Sequence, residues 1–245
     1  MTFDGHISTA FFDTFKFSAV KPERLVAAEY TLVTLVFAKT QETAGFADGL
    51  HQMKRKVVEA CLKNQRADYQ RADCVLLRVT EFNEQVDEVH GFLPLPQVHL
   101  DSYVMPLCRG RAGLHDAVYE SVGVTASFAR TLAERDYLVN GLVVVVACDW
   151  DEGSAASVDR ACLVTRAALS GGNLESLKTV LLTVNSQGLE EGCSAISEAL
   201  GFSAHLGTED ASVESMGRLA DFVVRELVAT SQAIGTGGPS KAAKL

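Results

Sequence analysis

Three polar clusters hold the residue types in this chain that could do chemistry. Ala38-Lys39-Thr40-Gln41-Glu42-Thr43 offers two hydroxyls and a carboxylate directly after an apolar run. Asp149-Trp150-Asp151-Glu152-Gly153-Ser154 offers three carboxylates and a hydroxyl after another. Between them lies Gly110-Arg111-Ala112-Gly113-Leu114-His115-Asp116-Ala117, with an arginine, an imidazole and an acid. Carboxylates and hydroxyls on converging loops are the oxygen ligands that a hard divalent cation takes. Cys148 or Cys108 with His115 supplies the residue types of a Cys-His hydrolase, although no hydrolase signature surrounds either cysteine. The plain alternative is that Asp149, Asp151 and Glu152 form a solvated turn capping the next helix, and that Thr40 and Thr43 cap the helix after them.

The elements that must position these clusters can be read from hydrophobic period. Tyr30 to Phe37 is an uncharged run of β-branched, aromatic and leucine residues, which predicts a strand buried on both faces of a parallel sheet. After Thr43 the apolar positions become Phe46, Leu50, Met53, Val57 and Cys61, the stripe of a helix. Further strands are expected at 74–82, 142–148, 178–184 and 203–206, with a hairpin partner from Val86 to Phe92. Helices are expected near 114–135, 157–169, 189–200 and 213–234. This alternation predicts an α/β fold: a doubly wound, mostly parallel sheet of about six strands, one antiparallel edge strand, and helices on both faces. The first two clusters then sit at the carboxyl ends of central strands, where open α/β sheets bind ligands. The expected organisation is a packing extension over 1–29, one domain over 30–234 and a flexible glycine-rich tail over 235–245.

Composition narrows the function classes. A formal net charge of −9 argues against nucleic acid or an anionic membrane as the main partner. No run approaches the roughly 18 to 20 apolar residues of a spanning helix, and nothing reads as a signal leader, so the expectation is a cytoplasmic chain. The six cysteines show no C-x-x-C pair and the six histidines no ligand spacing, which points to free thiols and away from zinc. Neither a phosphate-binding G-x-x-x-x-G-K-[ST] loop nor a strand-coupled G-x-G-x-x-G occurs.

From Lys21 to Ala233 the order of elements and the three loops resemble the von Willebrand factor type A domain of the intracellular bacterial and phage-associated kind. That family carries Asp-x-Ser-x-Ser, then Gly-Gly-Thr-x-Leu-x-Asp-Ala, then Thr-Asp-Gly, and its loops hold magnesium or manganese in a metal-ion-dependent adhesion site. Here the matching positions read Ala38, Thr40 and Glu42, then Ala112, then Asp149. Ala38 and Ala112 have no side-chain oxygen to give, Thr40 keeps a hydroxyl, and Asp149 alone keeps the family carboxylate. The resemblance therefore implies a degenerate site, no cofactor and a non-catalytic protein-binding scaffold. Its implied partners are a von Willebrand A paralogue that keeps its metal, or a complex with a MoxR-type AAA+ ATPase, and an oligomer is compatible with either. The alternative it leaves open is weak magnesium or manganese binding at a rearranged site of Thr40, Glu42, Asp149 and Asp151. Lys39, Arg111, Trp150 and Asp151 are the expected partner contacts, with Arg111 also expected to pair with Glu42 or Asp149 in place of the cation.

Overall fold

Every residue of β1 (Glu29–Ala38) after the first is buried, as a strand must be when both its edges and both its faces are covered. In the computed structural model, which describes residues 9–67, 74–148 and 150–232, β1 pairs in parallel with β2 (Val75–Phe82) on one side and β4 (Leu138–Ala147) on the other. The sheet has six strands in the order β3-β2-β1-β4-β5-β6. β3 (Val86–Pro94) is the antiparallel edge strand, while β5 (Ser176–Thr183) and β6 (Ala204–Gly207) extend the parallel side. The expected tail 235–245, Asp149 and most of the polar connection before Cys74 lie outside the described residues.

Strand period explains the two-layered core. Val33, Leu35 and Phe37 point to one face with Leu142, Val144 and Val146, where α1 (Ala47–Ala67) and α5 (Val213–Gln232) pack. Val36 and Ala38 point to the other with Val143, Val145 and Ala147, under α2 (Leu114–Ala133) and α3 (Val158–Ser170), with α4 (Glu190–Ala199) beside them. A 3-10 turn, Glu42–Phe46, precedes α1, so that helix begins later than its apolar stripe suggests.

Residues before β1 also pack. Phe92 N–H donates to the Ser18 carbonyl at 2.9 Å and Val20 N–H donates to Phe92 at 2.8 Å, laying the leader along the outer edge of β3. Gly91 permits that approach, since a Cβ there would stand 1.8 Å from the Ser18 oxygen. Phe17 stacks edge-on against Phe92 and Phe128 beneath it.

Three helices meet the sheet through buried charge. Lys54 of α1 bonds Glu81 of β2 at 2.5 Å. Arg78 of β2, 1% exposed, reaches Glu120 of α2 at 2.7 Å and Glu88 of β3 at 3.1 Å. Lys178 of β5 pairs with Glu226 of α5, which is fully buried. Burial pushes the Glu120 carboxyl up from its ordinary range, against the pull of Arg78. Removing one member of such a pair strands the other charge without water. Lys178→Met is expected to lower the unfolding free energy by about 3–5 kcal/mol, and the double change with Glu226→Met to restore most of it. Urea denaturation of the two variants beside the parent checks this, and equal losses in both would contradict it.

Candidate functional site

The carboxyl ends of β1 and β4 mark the point where the chain turns outward in opposite directions along the sheet, the position at which open α/β folds form a crevice. The three clusters do converge there, stitched by backbone hydrogen bonds. Gln41 N–H donates to Gly110 O and Arg109 N–H to Lys39 O, both at 2.9 Å, joining the first loop to the middle one. Asn83, at the β2–β3 turn, accepts from Gly113 N–H at 2.7 Å and donates its Nδ2–H to Arg109 O at 3.0 Å. A Cβ at Gly113 would come within 2.7 Å of the Asn83 carbonyl, so glycine is required there. Ala112 O accepts from Glu152 N–H and Gly153 N–H at 2.9 and 2.8 Å, bringing in the loop after β4.

Two aspartates complete the latch. The residue before α2 is Gly113, which has no side chain to cap the first turn. The cap comes from across the site: Asp151 Oδ1 accepts from His115 N–H and Ser154 Oγ from Asp116 N–H, both at 3.0 Å. Asp151 and Ser154 are hydrogen-bonded to each other. In return the Asp116 carboxylate accepts from Ala155 N–H and Ala156 N–H at 2.7 and 2.8 Å. Asp151 also lies 3.3 Å from His115 Nδ1. The Nε2 of that ring is buried with no hydrogen-bond partner, and among the described residues no hydrogen bond joins His115 to Cys148 or Cys108.

The other anticipated residues fall in distinct settings. Lys39 turns away from the crevice to pair with Asp87 of β3 at 2.5 Å. Thr40 is fully buried, its hydroxyl 3.9 Å from the Cys148 thiol. Thr43 donates its hydroxyl to Thr40 O at 2.7 Å, and Glu42 is exposed. Arg111 pairs with Glu84 at 3.3 Å instead of Glu42, because the Asn83 bonds bring the β2–β3 turn up beside it. Trp150 is 40% exposed, with its inner edge against Gly192 of α4, where a Cβ would meet the indole at 2.3 Å.

A feature that periodicity did not disclose lies next to these loops. Val104, Met105 and Leu107 are 73%, 45% and 72% exposed in the segment leading to Arg109. Its base is fixed by Tyr103, buried at 3%, whose hydroxyl meets His90 Nε2 at 2.6 Å. His90 Nδ1 lies 2.8 Å from the Gly91 carbonyl, which can only accept. Nδ1 therefore carries the proton of the neutral ring, and Nε2 accepts from the tyrosine.

Similarity to known proteins is confined to architecture. A von Willebrand factor type A protein from Catenulispora acidiphila superposes with a TM-score of 0.56 at 8% identity, over 83% of this chain and 43% of that one. The fold is von Willebrand factor type A-like. The PilB minor pilin from Streptococcus sanguinis gives 0.54 at 10% identity, over 87% and 64%. Proximal thread matrix protein 1 from the mussel byssus gives 0.52 at 12%, over 82% and 46%. The chain thus spans less than two thirds of each of these proteins. No family model and no curated protein matches it.

The fold raises the question of a cation at the crevice. Ala38 and Ala112, each 3% exposed, have no side-chain oxygen to give, and Asp151 is engaged in capping α2. Among the described residues no group of three histidine, cysteine or acidic side chains is arranged to hold a metal ion.

The histidine supporting the exposed segment gives a pH dependence. Burial depresses the His90 pKa below its ordinary 6.5, and burial with the nearby Lys54 and Arg55 does the same for His51. The unfolded chain then takes up protons first as pH falls, so stability is intact above about pH 6.5 and is lost on acidification through the folded-state values. Urea midpoints between about pH 5 and 7 should fall with pH in the parent and fall less in His90→Gln. A parent midpoint that rises on acidification would contradict this.

Proposed function

We propose that this chain is a non-catalytic protein-binding module that receives its partner on the carboxyl-end face of the sheet without a divalent cation. The observation that carries the reading is the exposed triplet Val104, Met105 and Leu107 beside the latched loops. Apolar side chains held out on a fixed loop are costly in water unless a partner covers them, and contiguous apolar patches mark contact surfaces. Trp150 adds an anchor of the kind enriched at contact hot spots, half exposed and braced by α4.

Other features favour binding over chemistry. The His115–Asp151 pair is spent on joining the last loop to α2, and no hydrogen bond connects it to a thiol among the described residues. The mussel matrix protein has been crystallised with a zinc-occupied MIDAS motif. By its resemblance to that fold's motif this chain carries Ala38 and Ala112 at two of the ligand positions, so on this reading apolar area replaces a shared cation. A cytoplasmic scaffold serving a metal-binding von Willebrand A paralogue, or a MoxR-type ATPase complex, is the finer form of the proposal. No helix among the described residues is long and apolar enough to cross a membrane.

The test is affinity capture from extract of the source cells with quantitative mass spectrometry, in EDTA and in millimolar magnesium. The parent should retain the same partner in both. Val104→Ser with Leu107→Ser should lose it by about 30-fold or more, the effect of removing a hot spot of ~2 kcal/mol, with circular dichroism and melting unchanged. Trp150→Ala should weaken capture in the same direction. Capture lost in EDTA, or unaffected by the double serine change, overturns the proposal. Melting temperature should also be indifferent to magnesium, since a cation at about 100 times its dissociation constant would add about 2.7 kcal/mol.

A further inference from the structure

The two edges of the sheet are finished differently. The leader residues Ser18 to Val20 hydrogen-bond along the outside of β3. The opposite edge is β6, paired with β5 on its inner side and with no strand on its outer side among the described residues. An open edge presents unpaired N–H and C=O groups that can template another strand.

The surroundings of this edge are specialised. Between β6 and α5 runs a groove of about 560 Å³. Leu206, Leu219 and Val224 give it apolar surface, while Arg218 and Arg225 line it with positive charge. Arg225 forms no ion pair or hydrogen bond among the described residues. Arg218 is 63% exposed, meets Glu214 at 3.4 Å and Ser215 at 2.9 Å on its own helix, and acts on the Asp210 carboxylate in the loop before it. The acid in the lining, Asp221, is engaged by Lys56 at 2.7 Å. A chain of net charge −9 therefore shows guanidinium groups at the sheet edge that no strand covers among the described residues.

We propose that β6 and this groove bind an extended acidic segment of a partner protein, added as a further strand to the sheet. Strand addition takes its affinity from main-chain hydrogen bonds and its selectivity from alternate side chains, which face the same way every second residue. Arg218 and Arg225 are two helical turns apart, about 10.5 Å along the axis. Carboxylates four residues apart on a strand are separated by about 13 Å, a gap that two long arginine side chains close, and the residue midway faces the groove between them. The pattern recognised is thus acid-x-apolar-x-acid, with each carboxylate held by a guanidinium fork and the apolar side chain over Leu206 and Leu219. Residues 233–245 of this chain are a poorer fit, since Lys241 and Lys244 are repelled by the same arginines.

The experiment uses the full chain with a fluorescein-labelled peptide whose core is Glu-Thr-Val-Thr-Glu, and a control peptide with lysine in place of both glutamates. Anisotropy should report binding of the acidic peptide alone. Amide exchange should show new protection at residues 205–207. Arg218→Glu with Arg225→Glu, both exposed, should weaken binding by about tenfold or more while melting is unchanged. Val104→Ser with Leu107→Ser should leave it intact, which separates this groove from the carboxyl-end face. Equal binding of the lysine peptide, no effect of the double arginine change, protection elsewhere, or no binding at millimolar peptide overturns the proposal. A chain shortened to residue 232 that binds tenfold tighter would make the tail the occupant. A dimer abolished by the arginine changes would make the occupant a second copy. Either result also overturns it.

Discussion

A charge taken out of water between a helix and a sheet tolerates its partner in one place only, and three of the helices here are held on that condition. Lys54 with Glu81, Arg78 with Glu120, and Lys178 with Glu226 each tie a helix to a strand inside an otherwise apolar layer. Hydrophobic burial supplies the larger share of stability, at roughly 1.5–3 kcal/mol for each large aliphatic side chain, but it is non-directional and so more nearly indifferent to which apolar partners meet. The ion pairs are not indifferent, because a slip leaves two desolvated charges apart at a cost of several kcal/mol. Helix positions fixed in this way in turn fix where α1 and α2 begin, and hence where the loops of the carboxyl-end face stand.

That face solves a problem that converging loops always pose. Loops that leave adjacent strands carry backbone N–H and C=O groups that need partners. Here Asn83, Ala112, Asp116, Asp151 and Ser154 satisfy them from neighbouring segments. The exchange between Asp116 and Asp151 is reciprocal: each carboxylate caps N–H groups of the segment that carries the other. A rigid crevice rim results, and with it a rigid support for the apolar residues that stand beside it.

The strands, the antiparallel edge and the helices on both faces were legible because their signals are local. Charge-free runs such as Leu142 to Val146 can be only buried strand or helix, and β-branched content decides between them. Even β2 and β5 read as strands although Arg78, Glu81 and Lys178 lie inside them, since their neighbours keep the pattern. The loops were less legible. Nothing in spacing says that Asn83 binds the middle loop, or that Arg111 meets Glu84. Those contacts depend on how high the β2–β3 turn rises, a tertiary quantity. Exposure of Val104 and Leu107 was hidden for the opposite reason: aperiodic apolar residues among prolines look the same whether a loop folds inward or outward.

The pairing of β1 has a consequence for the chain as it is synthesised. Its β2 edge is met by residues 75–82, but its other edge waits for residues 138–146. Ribosomes add about 5–20 residues each second, so one side of β1 stays open for several seconds after it emerges. Closure over so long a span also carries a loop-entropy cost before any contact rewards it. The nascent chain is therefore most vulnerable to association in the interval before β4 appears, and its final sheet is assembled from the centre only once residues 138–146 have been made.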